Sequence, residues 1–74
     1  MTFRASVEQR GERFVHTVSA DGEIIDTRTS KHRYSFAIIW KIGDDFAPTY
    51  SRKPERLGRV NQYGWKVADV VEIV

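Results

Sequence analysis

From Tyr34 to Ile42 the chain alternates without a break. Tyr34, Phe36, Ile38, Trp40 and Ile42 occupy one set of positions, and Ser35, Ala37, Ile39 and Lys41 the other. Side chains of an extended strand point alternately to opposite faces, so this spacing places five large apolar groups on one side. A helix would scatter the same residues around its whole circumference. The segment therefore predicts a central β-strand with one strongly buried face, here the face of Tyr34, Phe36, Ile38, Trp40 and Ile42.

Shorter signals flank it. Phe3, Ala5 and Val7 alternate with Thr2, Arg4, Ser6 and Glu8, the period of a half-buried strand, and Arg10-Gly11-Glu12-Arg13 reads as a turn. The next strand runs from Phe14 to Ser19, rich in β-branched and aromatic residues. Asp21-Gly22 separates residues 14–20 from 23–29 and suits a two-residue type I′ turn, whose central positions both need positive φ. Residues 14–29 are thus expected to form a hairpin.

After the long strand, Gly43-Asp44-Asp45 makes a stop, and Phe46 to Tyr50, with Pro48 inside, reads as irregular. Pro54 suits the first turn of a helix, and Leu57 and Val60, three apart, would share its face, which predicts a short helix at about 54–62. Gly58 weakens that helix or lets it approach a sheet closely. A final strand is expected from Trp65 to Val74. The economical architecture is α+β: a small antiparallel sheet of about four strands with one short helix on one face, forming a single domain over residues 1–74. The rival is a small all-β barrel, in which 52–61 would be only a helical turn.

At 74 residues the chain allows one domain with a thin core, and it has no cysteine to reinforce that core. The absence of cysteine points to a reducing compartment and excludes thiolate zinc sites and cysteine nucleophiles. The longest apolar stretch, Phe36 to Trp40, falls far short of a membrane span, and the first eight residues carry no run of signal-peptide length. A soluble, cytoplasmic protein is the expectation. Net charge is +2, unevenly spread: residues 28–66 hold nine Lys and Arg against three acids, whereas 1–27 hold three Arg against five acids. An anionic partner would meet the middle of the chain.

Catalytic constellations are thin. His16 and His32 are the two histidines, and neither has a second ligand at i+3 or i+4, so a metal site would need carboxylates assembled from afar. Asp44-Asp45 reads as a solvated loop pair, the glycines are isolated turn or packing positions, and no serine lies in a nucleophile-elbow context. The expectation is a non-enzymatic protein without cofactor or metal.

Two basic clusters carry the functional reading. Arg28, Lys31, His32 and Arg33 form the first; Arg52, Lys53, Arg56 and Arg59 form the second, diluted by Glu55. The bland reading is a solvated loop and a solvated helix face. The sharper one makes Arg28, Lys31, Arg33, Arg52, Lys53, Arg56 and Arg59 a docking surface for nucleic acid or an acidic protein. The run from Arg33 to Ile38 is similar to the aromatic strand of an RNA-recognition motif. That motif, however, places a glycine where this chain has Arg33 and needs two helices, and a buried face accounts for Tyr34, Phe36 and Trp40.

The stretch Asp21-Gly22-Glu23-Ile24-Ile25-Asp26-Thr27-Arg28-Thr29-Ser30, followed by Arg33-Tyr34-Ser35-Phe36-Ala37-Ile38, resembles small uncharacterised proteins of phages and of actinobacterial-type hosts. Those proteins pair an Asp-Gly turn and a hydrophobic pair with a Thr-Arg-Thr-Ser segment, then a polar stretch with a short helix and a C-terminal apolar strand. Their helix tends to be longer and richer in alanine than residues 54–62 here. The resemblance implies a phage or mobile-element origin. With it, the leading expectation is an accessory protein that binds a host macromolecule, a protein of transcription or defence machinery. Direct nucleic-acid binding through the basic clusters is the rival, and a structural homodimer formed at a sheet edge is the third reading.

Overall fold

The computed structural model describes residues 1–52 and 64–74. It contains six strands: β1 (Phe3–Arg10), β2 (Arg13–Ala20), β3 (Glu23–Ser30), β4 (Phe36–Ile42), β5 (Asp45–Ser51) and β6 (Lys66–Glu72). They form two three-stranded antiparallel sheets, β1-β2-β3 and β5-β4-β6. The α+β expectation with about four strands is therefore overturned in favour of an all-β architecture. The helix expected at about 54–62 lies outside the described residues. The strand that the sequence pattern does not announce is β5, built from a segment whose Pro48 makes it read as irregular. Proline lacks an N–H and is tolerated on an edge strand, and β5 is one: among the described residues its ladder partner is β4 alone, with Pro48 opposite Ile39.

The expected hairpin is present as β2 and β3. Asp21 and Gly22 both take positive φ, 49° and 87°, as a type I′ turn requires. A register shift between Val18 and Ser19 then puts Val18 opposite Asp26 and Ser19 opposite Ile24. The bulge keeps Ile25 packed against the core while Ile24, one residue earlier, is exposed.

The two sheets meet along both sides. On one side Ala5 and Ile73 form a parallel bridge, with Val74 N–H donating to the Ala5 carbonyl (3.1 Å) and Val7 N–H to the Val74 carbonyl (3.3 Å). The strands thus run β3-β2-β1-β6-β4-β5 in space. On the other side β3 faces β5, and Tyr50 Oη donates to Asp26 Oδ2 at 2.8 Å. The result is a flattened barrel, 37 × 24 × 17 Å along its principal axes.

Ala5, Val18, Ala37, Ile39, Tyr50 and Ile73 make the core between the sheets, with Phe3, Val7, Ile25, Tyr34, Phe46 and Val71 packed around them. The buried face of β4 therefore differs from the sequence expectation. The inter-sheet core takes Ala37 and Ile39 from the side read as exposed. Of the stripe read as buried, Ile38 is 1% exposed, Phe36 and Trp40 are half-buried and Ile42 is exposed. A central strand covered on both faces reads as a continuous apolar run, and the consecutive buried residues Ala37, Ile38 and Ile39 are that signature. Tyr34 lies before β4 and joins the core side instead of continuing the stripe.

Candidate binding site at the basic end of the barrel

The register of both sheets gathers one end of the barrel. Gln9 pairs with Phe14 and Phe14 with Ser30, so the β1–β2 turn and the end of β3 lie side by side. The chain then passes through Lys31, His32 and Arg33 into β4, and the His32 N–H donates to Ser30 Oγ at 3.1 Å. The end of β5 returns to the same place: Ser51 pairs with Phe36, and its carbonyl accepts from Ser35 N–H at 3.0 Å. Arg52 follows directly. Arg28, Lys31, Arg33 and Arg52, drawn from both sequence clusters, are thus brought to one end, and all four are exposed. Lys53, Arg56 and Arg59 lie outside the described residues.

Sequence reasoning missed two members of this end. Arg10 and Arg13 stand directly opposite each other across the β1–β2 turn, both exposed. Like charges in that position destabilise a ladder. Arg10 is relieved by Glu8, whose Oε2 lies 3.1 Å from Nη2, and this is the ion pair present among the described residues. The signal was available once the turn at Gly11-Glu12 was read, because a two-residue turn forces residues 10 and 13 to be partners.

Beneath the cations sits a buried polar-aromatic cluster. His16, 0% exposed, is held at both ring nitrogens by backbone. Nε2 accepts from the Tyr34 N–H at 3.0 Å, so the proton resides on Nδ1, which donates to the Arg28 carbonyl at 3.3 Å. The neutral ring bridges the two sheets. Its centroid lies 5.3 Å from the Tyr34 ring and 5.4 Å from the Tyr50 ring, and the two tyrosine rings are 6.0 Å apart. Burial pushes the Tyr50 phenol well above the ordinary tyrosine range, and the hydrogen bond to Asp26 and that carboxylate's charge push the same way against the opposing pull of Arg28. These groups have the composition of an acid–base site, but their geometry is structural: His16 has no free nitrogen, and the phenol is held protonated.

The Arg28 guanidinium closes the cluster from the solvent side, 5.9 Å from the centroids of both Tyr34 and Tyr50. Tyr34 and Tyr50 therefore lie packed among His16, Arg28 and the core. The RNA-recognition likeness of residues 33–38, with alternate aromatics free to stack on bases, does not describe Tyr34, which is packed into this cluster; Phe36 is half-buried.

A concavity of about 700 Å³ lies elsewhere, lined by residues of β1, of the β2–β3 hairpin and of the C-terminal end of β6. Phe3, Ala5, Ile24, Val71 and Val74 supply its apolar lining, and Arg4 and Glu72 are its charged groups. Among the described residues no group of His, Asp and Glu side chains is arranged to hold a metal, and no helix is long and apolar enough to cross a membrane. Comparison with protein-family models, curated proteins and solved structures returns no match for this chain.

Proposed function

We propose that this chain is a non-enzymatic accessory protein, encoded by a phage or mobile element, that docks onto an acidic surface of a host protein of the transcription or defence machinery. The convergence of Arg28, Lys31, Arg33 and Arg52 on one end of the barrel carries the binding half of this reading. The likeness of residues 21–38 to small phage proteins carries the origin half.

Charge concentrated at one end speeds and orients encounter with an anionic patch, even when net charge is as small as +2. A protein partner is favoured over nucleic acid by two features of that end. Tyr34 and Tyr50, the rings beneath its cations, are packed against His16 and covered by Arg28, so neither is free to stack on a base. The cations among the described residues, Arg28, Lys31, Arg33 and Arg52, cluster around strand ends, and a compact acidic patch matches them better than a phosphate backbone.

The test is binding, followed by fluorescence anisotropy, of a labelled acidic peptide that alternates Glu with Leu, beside an oligothymidylate of equal length, from about 50 to about 300 mM salt. The reading expects the peptide to bind more tightly and to keep measurable affinity at the upper salt. Tighter oligothymidylate binding that collapses with salt would transfer the site to nucleic acid, and binding of neither probe would remove it.

A further inference from the structure

We infer that Arg28 is the anchoring residue of the basic end, a guanidinium set in advance to take a carboxylate of the partner through two parallel hydrogen bonds. The inference rests on the docking reading above and goes beyond it, because it distinguishes one cation from its neighbours.

Two observations separate Arg28 from Lys31, Arg33 and Arg52, and two more, which it shares with them, leave it available to a ligand. Its position is fixed by the sheet: it lies opposite the fully buried His16, and its own carbonyl accepts from His16 Nδ1. Lys31 and Arg33 lie in the connection between β3 and β4, and Arg52 follows the last residue of β5. Second, its guanidinium rests against two aromatic rings at once, 5.9 Å from each centroid. Contact with two packed rings restrains the guanidinium more than a purely solvated side chain would be restrained. Third, among the described residues no carboxylate forms an ion pair with it. The nearby Asp26 accepts from Tyr50 Oη, and the ion pair among the described residues belongs to Arg10 and Glu8. Fourth, the residue is exposed, so a partner can reach it.

A long side chain loses rotamer freedom when it binds, and a side chain already held by its surroundings loses less. Arg28 therefore brings a guanidinium whose ordering cost has been met in part by folding. Lys31 and Arg33 bring charge from a connecting segment and contribute chiefly to encounter. Interfaces concentrate their binding energy in such preorganised arginines while rim charges tune the rate of approach. The ligand chemistry follows from the donor pattern. A planar oxyanion with two equivalent oxygens fits it, and the protein partner proposed above supplies one as an Asp or Glu side chain.

The experiment measures binding of the Glu-Leu peptide to the parent chain, to Arg28→Lys and to the double variant Lys31→Ala/Arg33→Ala. Arg28→Lys keeps the charge and the aliphatic stem but not the fork. We expect it to weaken binding about tenfold or more at every salt concentration, whereas the double variant weakens it several-fold at low salt and little at high salt. A second reading avoids any effect of substitution on folding: in the unaltered protein the Nε–H resonance of Arg28 should shift downfield as peptide is added. Parental affinity in Arg28→Lys, or an Nε–H resonance that does not move while the peptide binds, overturns the anchor but leaves the docking end intact. Absence of peptide binding to the parent chain overturns both.

Discussion

Replacing His16 with phenylalanine tests the architecture beneath the basic end. The ring is kept, so most of the packing against Tyr34 and Tyr50 survives, and the change acts chiefly on the two hydrogen bonds. Tyr34 N–H, which donates to Nε2 at 3.0 Å, is left without an acceptor in a half-buried position. The Arg28 carbonyl, which accepts from Nδ1, belongs to an exposed residue and can turn toward water. An orphaned buried donor costs about 1–3 kcal/mol, and the carbonyl adds less. A ring carbon set where Nε2 now lies 3.0 Å from the Tyr34 nitrogen would also be too close, which forces a shift costing about 1 kcal/mol. The sum is about 2–4 kcal/mol, against a total stability of roughly 4–11 kcal/mol for a chain of 74 residues. Equilibrium urea unfolding at neutral pH reads it: with a slope near 1 kcal/mol per M for so small a domain, the midpoint should fall by roughly 2 M or more. Thr27→Ala, on the opposite face of β3, should change stability by less than about 0.5 kcal/mol. A His16→Phe midpoint within that margin would refute the bridging role assigned to the imidazole.

Other expectations follow from single positions. Ile39→Ala, in the inter-sheet core, should cost about 2–5 kcal/mol, and Lys41→Ala, on an exposed residue of the same strand, should cost little; comparable losses in urea unfolding would contradict the burial of β4. Gly22→Val should cost roughly 1 kcal/mol or more, because a β-branched residue resists the positive φ of 87° even though no neighbour crowds the site; parental thermal melting would place the turn elsewhere. The raised Tyr50 phenol makes stability pH-dependent on the alkaline side only. The folded state holds that proton more tightly than the unfolded chain does, so its contribution is complete below about pH 10 and is lost as pH rises further. Tyr50→Phe should flatten that alkaline limb in urea unfolding, and an unchanged limb would contradict the burial and Asp26 contact that hold the phenol protonated.

Much of the fold is legible in the residues because period-two patterning and turn chemistry are local. Phe3-Ala5-Val7 marks β1, Asp21-Gly22 fixes the β2–β3 hairpin, and the run around Ile38 marks the central strand of the second sheet. What was misread depends on what lies across a sheet. Pro48 breaks an interior strand but not an edge one, and edge status is a property of strand order, which no local pattern carries. Large side chains at Phe36, Ile38 and Trp40 outweighed Ala37 and Ile39 in the reading of β4, because Ser35 and Lys41 flank those two on the same face and give it a polar look that its buried centre does not share. At the site, the cations of 28–33 and Arg52 were visible as charge, yet their convergence follows only from β5 returning to Phe36. The role of His16 was invisible in the sequence because its partners are backbone groups of Tyr34 and Arg28, eighteen and twelve residues away.

The most direct test of the docking account is a nitrogen–proton NMR titration of the intact chain with the Glu-Leu peptide. Shifts confined to residues 28–35, 51 and 52 and to the β1–β2 turn, saturating together, are the predicted result. Shifts centred instead on Phe3, Ile24, Val71 and Val74 would move the binding surface to the concavity lined by β1, the β2–β3 hairpin and the C-terminal end of β6 and contradict the assignment of the basic end.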